Sequence, residues 1–465
     1  MKKTITILFM LCISSVAFSQ ADTVRTRTET YIPFNKKKWY VPLAEVTALN
    51  VLVNRFDVYA LNADWARITF SSWKTNLKRG FASDGDNFVN NFLAHPIHGS
   101  LYFNSARSLG YSFWESSAYT LGGSLMWEFL GETYAASEID VNTTVQGGMY
   151  LGEMTHRISK VLLRNGKHRP NKFLRTAAAV ALNPMGQFNR WLYKDVNDYF
   201  YTEDQEESII KSQLSLGVSI PTREFDRIDA LSTLHINYSL MYGNIFDRSK
   251  DGFKPFDSFV LRSWLDIGTS DSPKPYYLNI VSQAAWYKKS LGANNVLSVS
   301  QHYEYIENQA FKIGTTGITV DYSLRHNYEN WGFVGTANLG IIPFGSSSST
   351  VVEALNLTEE DGELNLEYVY GRGYLYKLNY LIYHTRLGRL TSSYSFWYLN
   401  TENHVQGIEN TNLLQFKYYY PVTKDYSLSI EFFKYGRVAS YVDIPEFENI
   451  KEDYEEIKVS VTRTF

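Results

Sequence analysis

The sequence predicts an all-β transmembrane barrel of about twelve antiparallel strands with an N-terminal α-helical domain. Three observations predict it. From Lys211 onward apolar and polar residues alternate in long segments; aromatics make up 16% of the chain, with 35 tyrosines and 10 tryptophans; and the last strand ends on Phe465.

The N-terminus, MKKTITILFMLCISSVAFSQ, reads as a secretory signal peptide: Lys2 and Lys3 are a short positive region, Ile5 to Val16 an apolar core, and Ala17 to Gln20 a small-residue cleavage zone. The single cysteine, Cys12, follows Met10 and Leu11 instead of small residues, which argues against a lipoprotein site. Processing would leave a chain without cysteine, and thus without disulfides or thiolate metal sites. The boundaries read from the sequence are a leader over 1–20, an extended segment over 21–40, a helical motif domain over 41–200 and a barrel over 207–465. With 45 basic and 48 acidic residues spread evenly, a nucleic-acid partner is not expected.

The second half has a period of two. Leu214, Leu216, Val218 and Ile220 alternate with Ser215, Gly217 and Ser219. The pattern recurs at Leu234 to Tyr242, at Ile318, Val320, Tyr322 and Leu324, and at Tyr426, Leu428, Ile430 and Phe432. One face is apolar and the other polar. The polar phase carries Arg262, Asp266, Glu304, Asp321, Arg325, Glu367, Lys377 and Lys417, which a barrel lumen accepts more readily than a soluble sandwich. The final strand, IKVSVTRTF, has Ile457, Val459, Val461 and Phe465 in one phase, a pattern resembling the signal by which outer-membrane barrels are recognised for assembly. Counting back from it, connections alternate long and short, which puts Phe465 on the periplasmic side; upstream the rhythm fades. On β-strand spacing, Ser298, Ser300, His302 and Glu304 share one polar face, and a solvated lumen ladder is preferred there to a hydrolase triad.

The first half has helical spacing. Pro42 to Ala60 is apolar except for a stripe of Thr47, Asn50, Asn54 and Asp57, read as a buried helix with its polar face bonded to neighbours. Asp84, Asp86 and Asn87 are read as capping and turn residues, since the calcium-loop pattern is incomplete. Helices are expected at Pro96 to Gly110, about Glu115 to Gly131, about Thr144 to Leu163 and about Asn171 to Leu182, the last stopping at Pro184. Ala118 with Gly122, and Gly148 with Gly152, are small-residue pairs where another backbone can approach. Glu153 and Arg157 form an i,i+4 pair.

Within these helices lie His95, His98, Arg107, Glu115, Glu128 and Glu153. Two readings stand. In one, His95, His98, Arg107, Glu128 and Glu153 are candidate catalytic residues, with histidine or carboxylate as acid or base and Arg107 as an anion clamp. In the other they are buried, mutually satisfied groups that set helix register. No elbow, zincin, phosphate-loop or dinucleotide motif is present; no cofactor is expected, and the sequence names no metal.

The stretches HPIHGSLYFNSARSLGYSFWES, GSLMWEFLGE and GGMYLGE, after DGDNFVNN, resemble a bacterial domain family of unknown function found in predicted outer-membrane proteins. The resemblance covers about residues 45 to 165 and rests on His95, Pro96, His98, Gly99, Arg107, Gly110, Trp127, Glu128, Glu132, Asp140, Gly148, Gly152 and Glu153. It implies location and architecture and supplies no mechanism.

The expected protein is therefore an outer-membrane β-barrel with a structural, transport or envelope-maintenance role. Its helical domain is expected in or beneath the periplasmic mouth, and its expected partners are outer-membrane lipid and the barrel-assembly machinery. The alternative is a lipid-modifying hydrolase using His95 or His98 with Glu128 and Arg107.

Overall fold

The two periodicities fold into two kinds of structure. The computed structural model describes residues 36–82, 87–163, 172–194, 196, 210–222, 233–248, 252–268, 276–348, 368–401, 406–442 and 450–465. The expected leader over 1–20, residues 21–35 of the expected extended segment, Asp84, Asp86, Glu367 and residues 197–209 lie outside the described residues. The chain divides into a helical unit and a β unit.

Among the described residues the helical unit has seven α-helices: α1 (Tyr40–Ala60), α2 (Phe70–Arg79), α3 (His95–Arg107), α4 (Phe113–Leu130), α5 (Glu138–Leu163), α6 (Lys172–Leu182) and α7 (Pro184–Leu192). Their starts are written in local chemistry. Thr69 with Ser72 and Ser112 with Glu115 form reciprocal capping boxes for α2 and α4. Pro96 and Pro184 occupy first-turn positions, where a missing N–H costs nothing. Asn87 Oδ1 accepts the Asn90 N–H at 2.9 Å, opening a helical run that passes through one π-turn, Asn90–Ala94, into α3.

Three expectations are corrected. The α5 helix starts before Thr144, because Ser137 Oγ accepts the Asp140 N–H at 3.1 Å and the acidic Glu138 and Asp140 fill its first turn. The α6 helix stops before Pro184 as expected, and Pro184 opens a further helix, α7, with Asn183 Oδ1 capping the Gly186 N–H at 2.8 Å. The α3 helix stops at Arg107, and Gly110 takes a φ of +93°, open to glycine at little cost. On α4 the packing glycine is Gly123, against Val46 and Tyr102, whereas Ala118 and Gly122 face outward.

The β unit is a closed barrel of twelve strands: β1 (Ile210–Pro221), β2 (Thr233–Tyr242), β3 (Phe259–Ile267), β4 (Tyr276–Ser290), β5 (Asn295–Glu307), β6 (Lys312–Asn327), β7 (Trp331–Ser348), β8 (Val369–His384), β9 (Gly388–Thr401), β10 (Gly407–Pro421), β11 (Tyr426–Tyr441) and β12 (Ile450–Thr464). Each pairs antiparallel with the next, and β12 closes on β1 with Val459 opposite Val218 and Val461 opposite Leu216. The Phe465 N–H donates to the Ser212 carbonyl at 2.9 Å, so the terminal residue is part of the closure.

Register sends the apolar phase outward, with Leu216, Val320, Leu339, Ile341, Ile430 and Val461 all exposed. The polar phase turns inward, burying Ser215, His235, Asp266, Glu304, Asp321, Lys377, Lys417 and Glu431. This is the reverse of a soluble fold and the arrangement of a transmembrane barrel. At the Phe465 end the connections 291–294, 328–330, 385–387 and 422–425 are short; 243–258 is the exception that breaks the rhythm.

Candidate functional site

In the helical unit the motif residues meet at the crossing of α3 and α5. Gly99 and Gly148 bring the two backbones into contact: a Cβ on Gly148 would sit 2.5 Å from the Gly99 carbonyl carbon. A Cβ on Gly152 would run into the Phe103 ring. That close approach is what the small residues permit.

Four of the five candidate residues lie on these two helices, and Glu128 lies on α4. His95, at the start of α3, lies with Nδ1 3.1 Å from Thr144 Oγ1 and Nε2 3.5 Å from Asp140 Oδ2, both on α5. His98 packs its ring against Tyr102 at 4.6 Å and Trp127 at 5.4 Å. Burial, helped by His95, pushes the His98 imidazole down to about 3, so it is neutral at physiological pH and a weak base. Glu128, buried on α4, accepts the Ser137 N–H at 2.8 Å.

Arg107 belongs elsewhere, at the far end of α3 and about 14 Å from His98 along the axis. Its Nε reaches Glu153 Oε2 at 2.6 Å, its Nη2 reaches Oε1 at 3.2 Å, and its Nη1 donates to the Tyr111 carbonyl at 3.1 Å. Arg157 Nε adds a bond to Glu153 Oε1 at 2.8 Å. Burial opposes charge on Glu153, but the two guanidinium groups outweigh it and hold the carboxyl well below the usual range. The same desolvation, with Arg107 close by, keeps His156 neutral. The Arg107 clamp is thus filled by a protein carboxylate.

Glu115 acts in the capping box and pairs with Lys36, which holds its carboxyl down to about 2. Glu45 on α1 was not read from the sequence. Its Oε2 accepts from Asn189 Nδ2 at 3.0 Å, and burial raises its carboxyl to about 7. The signal was a lone carboxylate inside PLAEVTALNVLV. Among the described residues no group of three His, Cys, Asp or Glu side chains is placed to hold a metal ion.

The barrel's inward residues meet across the lumen. Trp264 on β3 lies 5.7 Å from Phe433 on β11 and under Lys417 of β10 at 5.8 Å, although neither strand neighbours β3. Phe311 lies 6.2 Å from Tyr435, and Trp397 Nε1 on β9 donates to Glu304 Oε2 on β5 at 2.9 Å. These rings join Ile306, Ile313, Leu375, Leu399 and Leu413 in one buried cluster inside the barrel.

Ion pairs surround the cluster. Lys458 Nζ bridges Asp266 Oδ2 at 2.7 Å and Glu456 Oε1 at 2.9 Å, while His235 Nδ1 meets Asp266 Oδ1 at 2.6 Å. Arg437 binds Glu409 at 2.8 Å and Glu452 at 2.9 Å. Lys377 holds Glu304 and lies 3.1 Å from His302 Nδ1.

The Ser298, Ser300, His302 and Glu304 ladder is buried in this network and not solvated. Ser298 and Ser300 donate to Asp321, and His302 Nε2 lies 2.9 Å from Thr319 Oγ1. The ladder residues pair with Thr319 and Asp321 on β6, Lys377 on β8 and Trp397 on β9 instead of lining up for a triad.

Residues 80–185 match the model of a family described as Domain of unknown function (DUF3943). The matched span starts and ends later than the stretch whose motifs suggested such a family, and it contains all five candidate residues. A search of curated proteins finds no match.

Among solved structures the chain is similar to an outer membrane channel from Pseudomonas putida F1, at 8% identity over 57% of this chain and 100% of that one, with a TM-score of 0.27. It is also similar to an anion-selective porin from Comamonas acidovorans, at 6% identity over 56% and 99% and a TM-score of 0.23. A third is the outer membrane channel DcaP of Acinetobacter baumannii, at 10% identity over 55% and 95% and a TM-score of 0.19. At these scores the barrel assignment rests on this chain's own strand pairing.

Proposed function

We propose that the protein is an integral outer-membrane barrel whose lumen is closed by its own side chains, serving as an anchored envelope protein and not as a diffusion channel. The carrying observation is the packing of Trp264 against Phe433 and of Trp397 on Glu304 between strands that are not neighbours. An aqueous pore needs a hydrated path, and large rings joined across the lumen by charge-assisted bonds fill it instead.

The outward apolar phase supports the membrane placement. The hydrolase alternative gains no support, since burial leaves His98 too weak a base and Arg107 is already bound to Glu153.

The test has two parts. Outer-membrane fractionation should recover the protein with heat-modifiable gel mobility. In planar bilayers the purified protein should give no stable conductance; steady porin-like channels would overturn the closed-lumen reading, and recovery in a soluble fraction would overturn the placement.

A further inference from the structure

We propose that the helical unit docks on a lipid bilayer through the outer face of α1. A soluble helix buries its apolar stripe and exposes its polar one. Here the sorting is partly reversed. The buried face of α1 carries Asn50, Asn54 and Asp57, all under 9% exposed, together with Val46 and Val58. The exposed face carries Leu43, Val51, Leu52, Phe56 and Tyr59, with Leu52 at 65% and Tyr59 at 79%.

Scattered exposed leucines are ordinary on soluble proteins. A continuous stripe along one helix, opposite a buried polar stripe, is not. The buried amides are engaged inside: Asn54 Nδ2 donates to the Ala66 and Gly131 carbonyls at 2.8 Å, and Asn50 Nδ2 to the Gly123 carbonyl at 3.1 Å.

Lipid is favoured over a protein occupant by two further features. The hydroxyl on the exposed face is satisfied within the helix, as hydrocarbon requires: Thr47 Oγ1 donates to the Leu43 carbonyl at 2.8 Å. Arg55, which reaches Asn54 Oδ1 at 3.0 Å and lies over the Tyr59 ring, keeps its charge for the headgroup layer. The stripe also begins next to Lys36, Lys37, Lys38, Trp39 and Tyr40, and Lys38, Trp39 and Tyr40 are exposed. Cations beside interfacial aromatics complement an anionic headgroup layer. Among the described residues no helix is long and apolar enough to cross a membrane, so the fit is to the bilayer surface and not through it.

The test uses the full chain in a Cys12→Ser background, reconstituted in vesicles of phosphatidylethanolamine and phosphatidylglycerol. Single cysteines at Leu52→Cys and Phe56→Cys carry an environment-sensitive fluorophore. Leu339→Cys, on the outward face of β7, is the lipid reference, and Lys424→Cys, in the exposed 422–425 turn, the aqueous one. Both α1 labels should lose emission to a nitroxide-bearing lipid and not to aqueous iodide.

Iodide quenching equal to that at Lys424→Cys would overturn the proposal. Shielding from both quenchers would overturn it too, in favour of a protein surface covering α1. If Leu339→Cys escapes the lipid quencher, the barrel's membrane placement fails instead, and the α1 labels are still scored by the same two quenchers.

Discussion

Arg107 on α3 and Glu153 on α5 form a two-point ion pair across the helix crossing, with Nε to Oε2 at 2.6 Å and Nη2 to Oε1 at 3.2 Å. Glu153 is fully buried. Removing Arg107 leaves that charge to Arg157 alone, and breaking a buried pair costs about 3 kcal/mol. Arg107→Ala is expected to lower the melting temperature of the helical signal by several degrees, with Arg107→Lys between it and wild type, as followed by circular dichroism.

Gly148→Ala tests the same crossing by sterics. The new Cβ would meet the Gly99 backbone, which cannot rotate away, so α3 and α5 must separate. Overpacking of this kind costs about 3 kcal/mol. The expected readout is faster proteolysis within the helical unit while the barrel keeps its heat-modifiable mobility.

His98→Phe separates packing from chemistry. The His98 Nε2 is buried without a hydrogen-bond partner, so an apolar ring of similar shape should be tolerated within about 1 kcal/mol. Thermal melts should nearly superimpose, and the outer-membrane lipid profile should stay as in wild type. An altered profile with an intact fold would revive the enzymatic reading.

Glu45 makes the helical unit sensitive to pH. Burial raises its folded pKa to about 7 from 4.5. Between those values the folded chain keeps a proton that the unfolded chain has lost, so stability falls as pH rises through the window. The loss is on the order of 3 kcal/mol. Denaturant midpoints should fall from pH 4.5 to 7 in wild type, and that slope should flatten in Glu45→Gln.

In the barrel, Lys458→Met would strand two carboxylates. Asp266 and Glu456 both lie within 3 Å of its ammonium and are buried. A loss of about 3–5 kcal/mol is expected, read as a lower urea midpoint for the heat-modifiable band. Trp264→Ala should cost a similar amount through the cavity it leaves between Phe433 and Lys417.

Much of this architecture is legible from local pattern. Alternation at Leu214 to Ile220 or Ile318 to Arg325 is a property of adjacent residues, and a strand reads out that period directly. The Glu153–Arg157 pair is legible for the same reason, being one helical turn long. Arg107 with Glu153 is not, because the two are brought together by Gly99 and Gly148 at a crossing that no local spacing encodes. The polar stripe on α1 was visible, yet Thr47 sits at its edge and is exposed, since the width of the buried face is set by the helices packed on it.

By itself the sequence determined which phase of each strand is apolar and that Pro42 to Ala60 and most of residues 96–163 are helical, because period and turn chemistry are short-range. Only the tertiary structure decided that the inward side chains meet as Trp264 on Phe433 and fill the lumen, and that α1 turns its apolar face outward. Those outcomes depend on which distant surfaces close on one another, and burial is a property of neighbours in space, not in the chain.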